Sequence, residues 1–146
     1  MRLCAYQPDI APNLGSMIRL SACFGVPLDI IGPCGFPLSI KSLKRAAMDY
    51  ADIADLTRHD SWQGFISASA GRRLVLMTTK ADESLWDFSF HPGDTLIMGR
   101  ESAGVPEDVH NDCAAHVRLP MTGAARSLNV AMCAGMALSE ALRQVR

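Results

Sequence analysis

The sequence predicts an α/β fold in which a mostly parallel sheet is flanked by helices. Short apolar runs alternate along the chain with longer stretches of helical periodicity, an order typical of strand–helix–strand units. The chain has 146 residues, of which 49% are hydrophobic and 20% charged, as in ordinary globular proteins. It shows no internal repeat, low-complexity segment or linker, so we expect one domain spanning residues 1–146.

Five short apolar or β-branched runs are predicted to be strands. Most of them end beside a glycine or a proline, which is a turn signal. In chain order the predicted strands are Leu3–Tyr6, Leu28–Ile31, Leu74–Thr78, Thr95–Met98 and His116–Leu119.

Five further segments are predicted to be helices from their periodicity and their boundary residues. Gly25 is a stop signal for the first helix, and Pro106 is a first-turn proline for the fourth. The predicted helices are Asn13–Phe24, Ser42–Met48, a segment capped by Asp60 or Ser61 that runs to about Ala70, Pro106–Asp112 and Leu128–Gln144.

Composition and charge exclude several classes of protein. The net charge of −1 does not fit a broadly basic nucleic-acid binder. No apolar run approaches the length of a membrane span, and the first residues lack the apolar stretch of a signal peptide. The five cysteines are odd in number and form no Cys-x-x-Cys pair, which favours reduced, mostly buried thiols in a cytoplasmic protein. The four histidines lack the spacing of metal ligands, so we expect no metal site.

Ligands of open parallel sheets bind beyond the carboxyl ends of the strands, so the loops that follow strands carry the candidate chemistry. The first such loop leads into a helix that contains Asn13, Gly15 and Arg19. Asn13 is a candidate N-cap, and Arg19 lies one helical turn after Gly15 on the same face. Taken alone, this loop is better explained as a capped helix with a solvated arginine.

The second loop, residues 98–106, runs from a predicted strand into Gly99 and Gly104. Glycines at such a place are typical of backbone that lies close to a ligand. The loop matches neither the phosphate-binding P-loop nor the dinucleotide fingerprint. Glu101 is a candidate acceptor for amide or ribose groups, and a tight turn with a salt-bridged carboxylate explains the loop equally well.

The third loop follows Leu119-Pro120-Met121 and leads into the last helix. Ser127 is a candidate N-cap for that helix. The helix is rich in small residues, including Ala134 and Gly135, which favours close packing against another backbone. Taken alone, the loop is better explained as the start of a capped core helix.

Together and in this order, the loops resemble the motifs of the SPOUT methyltransferases, in particular the small TrmH-like group that methylates ribose in tRNA. The resemblance covers essentially the whole chain. Its motifs are Tyr6-x-Pro8, Pro12-Asn13-x-Gly15-x-x-x-Arg19, Gly35-Phe36, Lys44-Arg45-Ala46 with Asp49-Tyr50, Thr57-Arg58-His59, Thr78-Thr79-Lys80, Gly99-x-Glu101-x-x-Gly104-x-Pro106, and Arg118-Leu119-Pro120-Met121 with Arg126-Ser127-Leu128-Asn129. The chain departs from the family pattern at Met98, Arg100, Ser139 and Leu142, which leaves details of a dimer interface open.

The resemblance implies a trefoil knot in the C-terminal part of the chain and an obligate homodimer. It also implies that S-adenosylmethionine is bound in the knot by backbone groups of three loops, with S-adenosylhomocysteine as the product. The cofactor-binding residues that it implies are Met77, Thr78, Gly99, Glu101, Gly104, Leu119, Met121, Ser127 and Leu128.

The reaction that the resemblance implies is methyl transfer to the ribose 2′-hydroxyl of the wobble nucleotide of tRNA, cytidine or uridine 34. The protein has to align that hydroxyl and help remove its proton. Arg19 is the family's candidate for this task, either as a base assisted by a substrate phosphate or as a group that orients the hydroxyl and stabilises negative charge. The predicted catalytic set is Arg19, Asn13, Glu101, Ser127 and Asn129.

We expect tRNA and a second copy of the chain as partners, and neither DNA nor a membrane. The RNA-contacting candidates are basic residues, each of which is equally well explained as solvated surface: Arg19, Lys41, Lys44, Arg45, Arg58, Arg72 and Arg73. Three other functions stay open. They are ribose methylation of rRNA or of another tRNA position, a catalytically silent knotted module that binds RNA or cofactor, and a small α/β domain that binds another nucleotide.

Overall fold

A computed structural model of the protein describes residues 1–39, 45, 47–123 and 127–146. Within this part of the chain, six strands form one sheet in the order β3-β2-β1-β5-β4-β6, and all neighbouring strands run parallel. The strands are β1 (Arg2–Tyr6), β2 (Leu28–Ile31), β3 (Leu56–His59), β4 (Leu74–Met77), β5 (Thr95–Met98) and β6 (Ala115–Val117).

Helices connect the strands on both sides of the sheet. They are α1 (Ala11–Phe24), α2 (Trp62–Ala68), α3 (Glu107–Asp112) and α4 (Val130–Val145), together with a 3₁₀ helix at Met48–Asp52. None of the helices within the described ranges is long and apolar enough to cross a membrane.

Successive residues of each central strand enter two different hydrophobic clusters, because side chains of a strand alternate between its faces. In β1, Leu3 and Ala5 pack with α1 and α4, whereas Cys4 and Tyr6 pack with α2 and α3. The central strands are therefore buried on both faces, which explains why they appear in the sequence as continuous apolar runs.

The predicted α/β class, with a parallel sheet flanked by helices, is confirmed, and all five predicted strands are present with small shifts at their ends. The prediction missed β3, an edge strand in which only Leu56 is apolar and neither Thr57 nor Arg58 is buried. An edge strand of this kind lacks the apolar run on which the prediction depends. The helix predicted at Ser42–Met48 falls on residues that lie largely outside the described part of the chain.

The predicted cap of α2 and the stop of α1 are confirmed, and two other cap predictions are wrong. The Ser61 side chain accepts a hydrogen bond from the Gly64 N–H, and Gly25 ends α1 in the left-handed conformation. Asn13 is not the cap of α1, because α1 begins at Ala11 with a proline in its first turn. The cap of α4 is Asn129 rather than Ser127, since Asn129 Oδ1 accepts from the N–H groups of Ala131 and Met132.

Three of the small residues of α4 pack inside the chain. Ala134, Ala137 and Ala141 are fully buried against the sheet side of the core, where Leu142 joins them. All five cysteines are free, but only Cys4 and Cys113 are buried.

Candidate functional site

A cavity of about 480 Å³ lies at the carboxyl edge of the sheet, beyond the ends of β4 and β5. Its walls come from the loops after β4, β5 and β6, together with the start of α1 and the first turn of α4. Its volume falls in the range of small-ligand and cofactor sites.

The loop after β5 is folded tightly enough to require glycine at two places. Arg100 and Gly104 exchange backbone hydrogen bonds of 3.1 and 2.9 Å, and Gly104 has a φ of +66°. A Cβ atom on Gly99 would lie 2.9 Å from the Cα atom and the carbonyl carbon of Gly104. Side chains are excluded from both positions, which keeps backbone groups at the wall of the cavity.

A chain of side-chain hydrogen bonds connects the three loops. Asn13 Nδ2 donates to Glu101 Oε1 at 2.9 Å, and Asn129 Nδ2 donates to Asn13 Oδ1 at 2.9 Å. Asn13 is buried although it is polar, and this pairing accounts for it. Because Asn129 also caps α4, the network fixes the start of α1, the Glu101 loop and the start of α4 relative to one another.

The network extends from Glu101 to the loop after β1. Glu101 Oε2 accepts a hydrogen bond of 2.7 Å from the Asp9 N–H, and the Asp9 carboxylate accepts from the hydroxyl and the N–H of Ser102. The hydrogen bonds from Ser102 lower the pKa of the Asp9 carboxyl. Both carboxylates therefore act as acceptors that hold loops together, and Glu101 does so from the cavity wall.

All nine predicted cofactor-binding residues line this one cavity: Met77, Thr78, Gly99, Glu101, Gly104, Leu119, Met121, Ser127 and Leu128. Asn13 and Asn129 of the predicted catalytic set line it as well. Arg19 does not. It is exposed on α1, and its guanidinium lies 4.8 Å from the ring centre of Tyr50.

The predicted RNA-contacting residues are not brought together on one surface. Arg45 and Arg58 are exposed. Arg72 and Arg73 directly precede β4 and so lie at the opposite, amino edge of the sheet, where Arg73 is paired with Asp94. Lys41 and Lys44 lie outside the described residues.

Sequence reasoning missed several residues that line the cavity, among them Arg100, Lys80 and Cys133. Arg100 lies 5.6 Å from the ring centre of Tyr6, and its buried Nε has no hydrogen-bond partner within the described ranges. Arg100 directly follows Gly99 in the second loop, which was a signal for a cavity residue, but it was noted only as a departure from the family pattern.

The parallel sheet and the cavity between three loops at its carboxyl edge define an α/β protein that binds a small ligand at the ends of its strands. Residues 1–139 match the model of the SpoU rRNA Methylase family. The chain belongs to this family of methyltransferases, which confirms the resemblance described above.

Relatives of known name match almost the whole chain. A protein of Beijerinckia indica subsp. indica named tRNA (cytidine(34)-2'-O)-methyltransferase is 54% identical over 145 residues, which cover 98% of this chain and 91% of that protein. A protein of the same name from Escherichia coli K12 is 35% identical and covers 99% of this chain and 94% of its own length.

Solved structures agree with the fold. One, described as "Structural insights into the 2-OH methylation of C/U34 on tRNA", has a TM-score of 0.92 and 42% identity, with 98% of this chain and 94% of that chain covered. The SpoU methyltransferase AviRb from Streptomyces viridochromogenes, in complex with the cofactor AdoMet, has a TM-score of 0.86 and 28% identity. That alignment covers 99% of this chain and 60% of AviRb.

Proposed function

We propose that the protein is a tRNA methyltransferase that transfers a methyl group from S-adenosylmethionine to the ribose 2′-hydroxyl of nucleotide 34, cytidine or uridine. The observation that carries the proposal is the single cavity in which all nine expected cofactor-binding residues meet. The names of the relatives that match nearly the full chain support the choice of tRNA and of position 34.

The residues at the cavity fit S-adenosylmethionine. The Gly99–Gly104 turn presents backbone groups in place of side chains, and Leu119, Met121 and Leu128 supply apolar surface. When bound, the cofactor supplies a methyl group already activated by the positive charge of its sulfonium. Glu101, Asn13 and Asn129 hold the loops around it through their mutual hydrogen bonds.

Arg19 is proposed to orient the 2′-hydroxyl or to stabilise the negative charge that develops on its oxygen, and a substrate phosphate is the candidate proton acceptor. This division fits a guanidinium, which stays protonated at neutral pH. Arg58 and Arg45 are proposed to contact the RNA backbone because both are exposed.

We propose that the chain acts as a homodimer in which Arg19 of one copy reaches the cavity of the other. Two observations support this. Arg19 does not line the cavity of its own chain. The outer face of α4 exposes Met132 by 59% and Met136 by 42%, and Leu128 at the cavity rim is 37% exposed.

Mixed dimers test this arrangement. We expect chains with Arg19→Ala and chains with Asn129→Ala to be inactive separately. If sites are shared between copies, co-expression of the two restores about a quarter of the wild-type rate, because half of the dimers are mixed and each mixed dimer has one intact site. No restoration, in a sample shown by mass to contain mixed dimers, would place Arg19 in the site of its own copy.

The same proposal includes a single domain with a trefoil knot, working in the cytoplasm where tRNA is found. The knot is supported by the path of the segment after β6. Leu85 N–H donates to the Arg118 carbonyl at 2.8 Å, and Arg118 N–H donates to the Glu83 carbonyl at 2.9 Å. The chain leading to Met121 therefore runs along the loop after β4.

The decisive experiment uses radiolabelled S-adenosylmethionine and tRNA from a strain that lacks the wobble 2′-O-methyl mark. We expect label in a 2′-O-methylated pyrimidine at position 34, and its loss with Arg19→Ala. Label at another nucleotide would keep the reaction and change the substrate. No label with competent tRNA and measurable cofactor binding would favour the silent binding module.

A further inference from the structure

A second cavity of about 310 Å³ lies at the same carboxyl edge of the sheet, beyond the ends of β2 and β3. Its apolar wall is formed by Ile30, Cys34, Phe36 and Leu38. In the strand order, its centre lies about three strand spacings from that of the first cavity, or roughly 14 Å. The proposed cofactor site does not account for it, and the motifs Gly35-Phe36 and Thr57-Arg58-His59 supply three of its lining residues.

The polar groups of this cavity differ in whether they are already paired. His59 lines it, but its Nε2 is bonded to Asp29 Oδ1 at 2.8 Å. Arg58 and Asp60 are both exposed, and no side-chain hydrogen bond or ion pair is found for Arg58 among the described residues. One arginine fork and one carboxylate thus remain available in a cavity whose exposed lining is mostly polar.

These groups match the parts of a ribonucleotide. Phe36 packs against the core and is only partly buried, so its ring is the aromatic surface of this cavity on which a base would stack. The Arg58 guanidinium suits a phosphate, because its N–H groups match the phosphate oxygens. Asp60 offers an acceptor for the amino or imino group of a base.

The rim of the second cavity is tied to the network of the first. Gly35 N–H donates to the Pro8 carbonyl at 2.9 Å, and the next residue, Asp9, is bonded to both Glu101 and Ser102. The two cavities therefore hold a fixed relation to each other along the sheet edge. A single RNA strand placed along that edge reaches both.

From this we infer that the second cavity binds the base of a nucleotide close to the target nucleotide in the same RNA strand, stacked on Phe36 with its phosphate on Arg58. This inference rests on the proposed function, because it takes the RNA substrate from it. It adds a subsite by which the enzyme distinguishes its RNA from others of the same charge.

Abasic scanning tests the inference with the full-length protein and a synthetic anticodon stem-loop. Each loop nucleotide near position 34 is replaced in turn by an abasic residue, and RNA affinity is measured. For the wild type we expect one position at which the loss of the base weakens binding about tenfold. Phe36→Leu keeps the apolar packing but removes the ring, so we expect it to weaken binding of the intact RNA by a similar factor. With the abasic RNA, the affinity of this variant falls little further.

Arg58→Gln is the second variant, and its exposed side chain makes misfolding no concern. We expect a lower RNA affinity and a salt dependence whose slope is smaller by about one, consistent with one lost phosphate contact. Arg143→Gln, whose side chain is 71% exposed near the end of α4, is the matched control and leaves the slope unchanged. Cofactor affinity stays at the wild-type value in all three variants, which also shows that Phe36→Leu is folded.

The inference would be overturned if Phe36→Leu and the abasic residue weakened RNA binding independently, so that their effects on the binding free energy added up. It would also be overturned if loss of the base weakened binding at no position. Equal salt slopes for Arg58→Gln and the wild type would overturn it as well. Failure of the proposed function is recognised separately, because the wild type would then place no methyl group on nucleotide 34.

Discussion

The two edges of the sheet use their charged groups differently. At the amino edge, arginines are paired with buried carboxylates. Arg2 Nε lies 2.7 Å from Asp29 Oδ2, and Arg73 bonds both carboxylate oxygens of Asp94 at 2.7 and 2.6 Å. Asp29 and Asp94 are 2% and 0% exposed, so their charges need these partners.

At the carboxyl edge, by contrast, Arg58 and the Nε of Arg100 have no such partner within the described part of the chain. The backbone there is also unusual, since Gln7 directly after β1 has a φ of +44°. Strained backbone and unpaired polar groups cluster at ligand sites. The amino edge is therefore built for stability and the carboxyl edge for binding.

The largest predicted difference in activity is between variants of two glycines that flank β5, one at each edge of the sheet. Gly99 follows β5 and Gly93 precedes it by two residues. In Gly99→Ala the new methyl group meets the Gly104 backbone at 2.9 Å, which must displace the loop that carries Glu101. We expect kcat/KM for methyl transfer to fall about 100-fold, the size of effect that a misplaced site residue causes.

Gly93→Ala is the matched control, because nothing lies within 4 Å of its added Cβ. We expect it to leave kcat/KM and cofactor affinity unchanged. Equal activity of the two variants would show that the Gly99–Gly104 contact does not shape the cavity.

The converse change at the amino edge should affect stability and not catalysis. Asp94→Asn leaves Arg73 without its carboxylate, at a position where the aspartate is fully buried but Arg73 is 30% exposed. We expect the free energy of unfolding to fall by about 2 kcal/mol, less than for a fully buried pair. Urea denaturation followed by circular dichroism measures this loss, with the exposed Asp87→Asn as control. A fall in kcat/KM of folded Asp94→Asn would contradict the separation of the two edges.

The interior of the fold was predictable because its signals are local. Central strands buried on both faces are apolar runs, and Gly25 and Ser61 end or begin helices by their own chemistry. The edge strand β3 was not predictable, because its pairing with β2 needs only backbone groups and leaves Thr57 and Arg58 outside the core.

The candidate site was predicted from motif resemblance, and single loops would not have sufficed. The Asn13–Glu101–Asn129 network spans 116 residues of sequence, so no local pattern contains it. The same separation in sequence explains why two predicted helix caps were wrong. Asn13 and Ser127 are suitable capping residues, but Asn13 is bonded within the network and Asn129 is the N-cap of α4. The motifs Gly35-Phe36 and Thr57-Arg58-His59 supply residues of the second cavity, but the first follows β2 and the second lies in β3, and nothing local shows that they meet.

The smallest predicted effect concerns the thiol of Cys34 at the second cavity. Burial raises the pKa of this thiol, and the charge of Arg58 acts against burial and lowers it. In Arg58→Gln the pKa of Cys34 therefore rises further, and less thiolate is present at pH 8. Because the thiolate is the reacting form, we expect alkylation of Cys34 by iodoacetamide to slow about twofold.

Native alkylation followed by peptide mass spectrometry measures this change site by site. Cys133 is the internal control, because burial alone raises the pKa of its thiol and the loss of Arg58 leaves its rate unchanged. An unchanged alkylation rate at Cys34 would mean that the Arg58 charge does not act on the second cavity. Arg58 would then no longer count as a ligand-binding group of the carboxyl edge. A slower rate confined to Cys34 shows instead that this charge is directed into the cavity, where neutralisation by an RNA phosphate is expected to slow the same thiol.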